Sequence, residues 1–127
     1  MADYPRHVEF REEGPREGFQ IEPRVHPLAA RAELIDLLSD TGLRRIQPGS
    51  FVSPRAVPQM ADTAELFQRI TRRPGVRYTA LWLNERGFRR ALATPGVDPD
   101  ARLLFYCSDA FARANNNCTA LEMRERQ

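Results

Sequence analysis

Between Pro74-Gly75 and Asn84 runs Val76-Arg77-Tyr78-Thr79-Ala80-Leu81-Trp82-Leu83, an almost continuous apolar segment. A strand with one wet face alternates apolar and polar residues; a strand covered on both faces has no need to. The segment therefore predicts a strand of a parallel sheet with helices packed on it, and Trp82 is expected in the core. Three further stretches read as strands, at residues 7–12, 43–46 and 102–107. Between them lie segments with helical spacing. Leu28, Ala32, Ile35 and Leu38 predict a helix over 28–40, opened after Pro27 and stopped by Gly42. Ala61, Leu66 and Ile70 predict a second over 61–72, and Phe88 and Leu92 a third over 85–93. Thr119, with Glu122 three residues on, has the form of a capping box for a last helix over 120–127. Residues 1–6 read as frayed, and 13–27, 47–59 and 108–117 as loops.

Strand followed by helix, four times over, makes an α/β fold. A closed (β/α)8 barrel takes about 250 residues. The 127 residues here are expected to form a single domain, 1–127, that is half of such a barrel or a small doubly wound sheet.

Composition narrows the functions. Apolar residues make up 42% and charged ones 28%, the balance of a folded domain and not of a disordered chain. No apolar run is long enough to span a bilayer and no signal-peptide core follows the charged N-terminus, so a cytoplasmic protein without a membrane partner is expected. All 19 basic residues are arginine. Without a lysine amine, Schiff-base chemistry is excluded. The pairs Arg44-Arg45, Arg72-Arg73 and Arg89-Arg90 are interspersed with 17 acidic residues, so no one-signed footprint for nucleic acid forms. They read as solvated helix ends, with an anion or CoA-type phosphate site as the alternative. Cys107 and Cys118 lack metal-ligand spacing and are expected to be small buried side chains. His7 and His26 have no partner in sequence.

The chemistry concentrates in Glu12-Glu13-Gly14-Pro15-Arg16-Glu17-Gly18-Phe19-Gln20-Ile21-Glu22. Glycine reaches backbone angles that other residues avoid, and proline fixes its own φ. Together they can aim Arg16 and Glu17 at the end of the first strand, where α/β enzymes keep their active sites. Taken alone, the two could equally form a surface ion pair.

This stretch resembles the signature E-V-G-P-R-D-G-L-Q-N-E of the hydroxymethylglutaryl-CoA lyase family, metal-dependent TIM-barrel lyases related to the Claisen-type synthases. Ile46-Gln47-Pro48-Gly49-Ser50-Phe51-Val52-Ser53-Pro54-Arg55-Ala56-Val57-Pro58-Gln59-Met60-Ala61-Asp62 is similar to the family's I-E-A-T-S-F-V-S-P-K-W-V-P-Q-M-A-D. Asn84-Glu85-Arg86-Gly87-Phe88 resembles P-N-x-x-G-F after its first residue, and residues 108–119 resemble S-E-x-F-x-x-x-N-I-N-C-S.

The resemblance implies the first four βα units of a TIM barrel and a reaction that cleaves a carbon–carbon bond, or forms it by Claisen-type condensation. The substrate would be an acyl-CoA or a small 2-oxo or hydroxy acid. It implies Arg16 as the catalytic cation that stabilises an enolate, and Glu17 as a ligand of Mg²⁺ or Mn²⁺. It implies Gln20, Gln47, Ser50, Asn84, Asn115 and Asn117 near the substrate. Two departures stand out: Glu17 replaces an aspartate and Gln47 a glutamate. The family's His-x-His ligands, a further Asn and its catalytic Cys are absent, so the remaining ligands are expected from outside this chain. They would come from a C-terminal half, a second chain or a homo-oligomer. The rival expectations are a non-catalytic interaction or regulatory subunit built on a lyase half-barrel, and a module that binds an anion or CoA without chemistry.

Overall fold

The computed structural model describes residues 4–126. The expected fraying at residues 1–6 falls partly on 1–3, outside the described residues, as does Gln127 at the end of the last predicted helix. Three parallel strands, in spatial order β1-β2-β3, form the sheet: β1 Arg11–Glu12, β2 Arg45–Ser50 and β3 Arg77–Leu81. Helices α1 Gly14–Ile21, α2 Leu28–Ser39, α3 Thr63–Arg69 and α4 Glu85–Ala93 alternate with them. Two short helices, α5 Asp109–Asn116 and α6 Ala120–Glu125, close the described chain. The α/β architecture expected from the apolar runs is the one observed.

The core lies between the sheet and the helices. Ile46 of β2 and Tyr78 and Ala80 of β3 meet Ile35 of α2, Leu66 and Phe67 of α3 and Ala91 of α4, with Phe51 and Trp82 above them. Side chains alternate across a strand. The opposite sheet face therefore takes Gln47 and Ser50 from β2 and Thr79 from β3, all fully buried.

Five expectations shift. The segment read as a loop over 13–27 begins with α1: Pro15 occupies the first helical turn, where its missing N–H costs nothing. The second strand continues past Ile46 through Pro48-Gly49 to Ser50. A proline in a central strand removes a ladder donor, and the register shift between Ile46 and Gly49 absorbs that loss. The polar loop over 108–117 contains α5, whose N-cap Ser108 accepts a hydrogen bond from the Phe111 amide. The strand expected over 7–12 pairs only at Arg11 and Glu12, and Val8 and Phe10 are exposed. The strand expected over 102–107 joins no ladder among the described residues.

The turn before that segment is tied to the start of β3. Asp98 takes both backbone groups of Tyr78: its carboxylate accepts from the Tyr78 amide at 2.6 Å and its own amide donates to the Tyr78 carbonyl at 2.8 Å. Arg72 clasps the same carboxylate through two bonds of 2.9 Å. Asp98 thus occupies the outer edge of β3 at Tyr78. Beyond it Leu103 and Phe105 are exposed, and so is Cys107, against the expectation of burial.

Two glycines set how closely the layers approach. A Cβ on Gly49 would stand 2.8 Å from the Thr63 hydroxyl of α3, and one on Gly87 would stand 2.6 Å from the Phe51 carbonyl. The second obstacle is backbone and cannot rotate away. Gly87→Ala is therefore expected to lower the stability of the chain by about 1–3 kcal/mol, the usual range for overpacking, read from urea unfolding. An unchanged unfolding midpoint would mean that α4 does not rest on Phe51.

Asp100 anchors the other end of this region. Burial acts against its charge, but the hydrogen bond from Arg102 and the charges of Arg102, Arg11 and Arg45 outweigh it and hold the carboxyl below its ordinary value. A depressed carboxyl contributes stability above its unfolded-state pKa and loses it as the pH falls through the folded value. Below about pH 4, where aspartate begins to protonate in the unfolded chain, Asp100→Asn should therefore lose stability less steeply than the wild type in an acid titration followed by circular dichroism.

Candidate active site

The site begins where β1 ends. Glu12 closes the turn by accepting from the Gly14 amide at 2.5 Å, and Glu13 stands at the N-cap of α1. The first turn of α1 then turns Arg16 inward. Its side chain is 10% exposed, and every edge of its guanidinium is held. Nε donates to Gln47 Oε1 at 2.8 Å, one terminal nitrogen donates to Glu13 at 2.7 Å, and the other donates to Glu17. A buried cation needs paired charge and filled hydrogen bonds. Arg16 has both, from two carboxylates and one amide.

Gln20 lies four residues beyond Arg16, on the same face of α1. Its side-chain oxygen is buried without a hydrogen bond. Below it, β2 presents Gln47 and Ser50. The Gln47 oxygen is taken by Arg16, but its Nε2 has no partner, and neither does the Ser50 hydroxyl. The Thr79 hydroxyl on the same face of β3 is also unpartnered. An unmet buried polar group costs about 1–3 kcal/mol. Several on one sheet face, beside a positioned guanidinium, are donors arranged for a polar occupant.

The expected residues divide accordingly. Arg16, Glu17 and Gln20 come together on α1 with Gln47 and Ser50 on β2. Asn84 is engaged elsewhere, since its Oδ1 caps α4 by accepting from the Gly87 amide at 2.9 Å. Asn115 donates back to the Phe111 carbonyl within its own helix, and Asn117 ends that helix in the left-handed conformation at φ 52°. The residue of the triplet that points inward is Asn116. It donates to the Leu83 carbonyl at 3.1 Å and to the Tyr106 hydroxyl at 3.3 Å, and its Oδ1 is buried and unpaired. Helical spacing carried this signal, because Asn116 falls four residues after Ala112, the buried residue of α5.

Thr79 was also missed, hidden in an apolar run that gives no cue to a single hydroxyl. Arg31 was missed as a fully buried charge. It donates to the Gln59 carbonyl at 3.0 Å and pairs with Asp62 at 2.9 Å, fastening α2 to the turn before α3.

No group of three or more His, Cys, Asp or Glu side chains that could hold a metal exists among the described residues. His26 packs against Phe19, with ring centroids 4.9 Å apart, and His7 is exposed. Glu17 is a hard oxygen donor of the kind Mg²⁺ and Mn²⁺ take, but it is spent on Arg16 and stands without companion ligands. The described residues offer part of a coordination sphere and not a metal site.

Gln47 is the hinge of this arrangement. Gln47→Leu keeps the volume but strands Arg16 Nε, and is expected to cost about 1–3 kcal/mol in thermal or urea unfolding. A neutral effect would show that the two carboxylates alone hold the guanidinium.

No protein-family model matches the chain. Curated relatives do. The mitochondrial hydroxymethylglutaryl-CoA lyase of Gallus gallus is 44% identical over 123 residues, 97% of this chain and 41% of the relative. Among solved structures, hydroxymethylglutaryl-CoA lyase from Pseudomonas aeruginosa aligns with a TM-score of 0.84 at 46% identity, covering 96% of this chain and 40% of its own. An HMG-CoA lyase from Acinetobacter baumannii, in complex with coenzyme A and 3-methylmalate, aligns at 0.82 and 35% identity over 91% of this chain and 37% of its own. The chain spans about two fifths of the length of the curated relatives it matches. In sequence and in fold the chain is similar to the N-terminal part of hydroxymethylglutaryl-CoA lyases.

Proposed function

We propose that residues 1–127 act as one unit, the N-terminal half-barrel of a carbon–carbon lyase whose substrate is an acyl-CoA. The observation that carries this reading is the buried Arg16, fixed by Gln47 and flanked by Glu17 at the ends of β1 and β2. A guanidinium held in place before the reaction stabilises negative charge that develops on a substrate oxygen, without having to reorganise as it does so. Cleavage beside a thioester leaves an enolate, and Arg16 is the cation this chain offers it. The free Nε2 of Gln47 and the Ser50 hydroxyl orient the substrate from β2, and Gln20 completes the lining from α1. Condensation in the reverse direction would use the same groups.

Glu17 would contribute one oxygen to a divalent ion, Mg²⁺ or Mn²⁺, with the other ligands coming from outside this chain. When bound, such an ion polarises substrate oxygens as a Lewis acid. The complementing strands would come from a C-terminal half, a second chain or a second copy, and would bring a His-x-His pair. A cytoplasmic location fits this reading, and no described helix is long and apolar enough to cross a membrane.

One observation favours a second reading, a non-catalytic regulatory subunit. Glu13 and Glu17 are both turned onto Arg16, and no three-ligand cluster exists among the described residues. Turnover separates the two. With short acyl-CoA thioesters and added Mn²⁺, Arg16→Ala is expected to cut the rate by about 10²–10³-fold, the scale of losing one charge-stabilising donor. Equal rates would remove Arg16 from the mechanism. A wild-type chain inactive alone and active only when mixed with a chain bearing His-x-His would assign the missing ligands to that partner.

A further inference from the structure

At the C-terminal ends of β2 and β3, the loop after Phe51 and the first turns of α4 line a hollow of about 710 Å³. Arg55, Arg86 and Arg90 line it, and no acidic side chain does. Arg55 and Arg86 make no hydrogen bond or ion pair with any described residue. Arg90 donates only to the Val52 carbonyl at 3.3 Å and lies over the Phe51 ring, 5.3 Å from its centroid.

This arrangement has a cost that the fold does not recover. Arg86 and Arg90 stand four apart on α4, and like charges at that spacing repel. The one nearby acid, Glu85, is bound to Arg89 at 2.6 and 2.9 Å, which directs its charge to the neighbouring face of the helix. The hollow's walls are firm. The Phe51 amide is tied to the Leu81 carbonyl at 2.7 Å, residues 53–57 are closed by two backbone bonds of 3.0 Å to Ser53, and Gly87 lies against the Phe51 carbonyl. Three arginines therefore line one space, and no acidic side chain lines it with them.

We infer that this hollow binds the phosphate groups of a phosphorylated ligand. Guanidinium forks match phosphate oxygens in pairs, and two arginines without partners have all their donors free for it. The volume is within the range of small-ligand sites and exceeds what a single inorganic phosphate fills. The phosphates could belong to a CoA-type ligand or to a free polyphosphate. The inference does not depend on the lyase reading, because pyrophosphate has no thioester to cleave.

Calorimetric titration of the whole chain with sodium pyrophosphate, CoA and dephospho-CoA tests it. Pyrophosphate should bind saturably at low salt, and Arg86→Gln and Arg55→Gln should each weaken it about tenfold, with unchanged melting curves. Arg124→Gln, which removes an exposed arginine of α6 outside the hollow, should leave the affinity intact. A parallel loss of CoA affinity in Arg86→Gln identifies CoA phosphates as the ligand; a loss confined to pyrophosphate identifies a free polyphosphate. Absence of saturation up to about 10 mM, an Arg86→Gln variant that binds like the wild type, or an equal loss in Arg124→Gln would overturn the inference.

Discussion

The site depends on one buried cation. Arg16 sits at 8% exposure with its charge paired and a hydrogen bond from each of its three guanidinium nitrogens, and its partners come from three positions that the fold brings together. Glu13 and Glu17 flank it on α1, and Gln47 meets it from β2. The family signature has valine where this chain has Glu13, and glutamate where it has Gln47. At the N-cap of the helix Glu13 supplies a carboxylate to Arg16. The charge that faces Arg16 comes from a helix end, and β2 offers it an amide with a spare donor.

That exchange bears on chemistry. A carboxylate on β2 beside Arg16 would only accept hydrogen bonds. Gln47 accepts from Arg16 with its oxygen and leaves an N–H pair facing the same side as Ser50 and Thr79. The inner face is consequently richer in donors than the family pattern implies, which suits an anionic or carbonyl occupant.

How much of this could be read in the sequence follows from the kind of signal each element leaves. β3 and α4 were legible because an apolar run and a helical period persist through them. α1 was hidden, since Gly-Pro and Gly18 look like loop punctuation, yet proline in a first turn is compatible with a helix. β2 was cut short at Ile46 because Pro48 argues against a central strand, and only the register shift makes room for it. The apolar run over 102–107 reads as a strand, yet the contact at the outer edge of β3 is made by Asp98, twenty residues after Tyr78, which no local pattern contains. The motif made Arg16, Gln47 and Ser50 visible. Thr79 and Asn116 were not, because their roles follow from which way one side chain points.

A comparison of the two buried arginines separates scaffold from site. Arg31 is more completely buried than Arg16, at 1% against 8%. Its partners are a backbone carbonyl and Asp62, both on the segment that leads into α3. Exchanging them for a ligand would detach α2 from that segment, so Arg31 is committed to holding helices together. Arg16 is bound by side chains alone, two of them on a helix turn at the mouth of the sheet and partly open to solvent. Those carboxylates can swing away without breaking any ladder or helix, and a substrate oxygen can take their place on the guanidinium. Burial by itself therefore does not distinguish the two arginines; they differ in whether their partners can leave without loss to the fold.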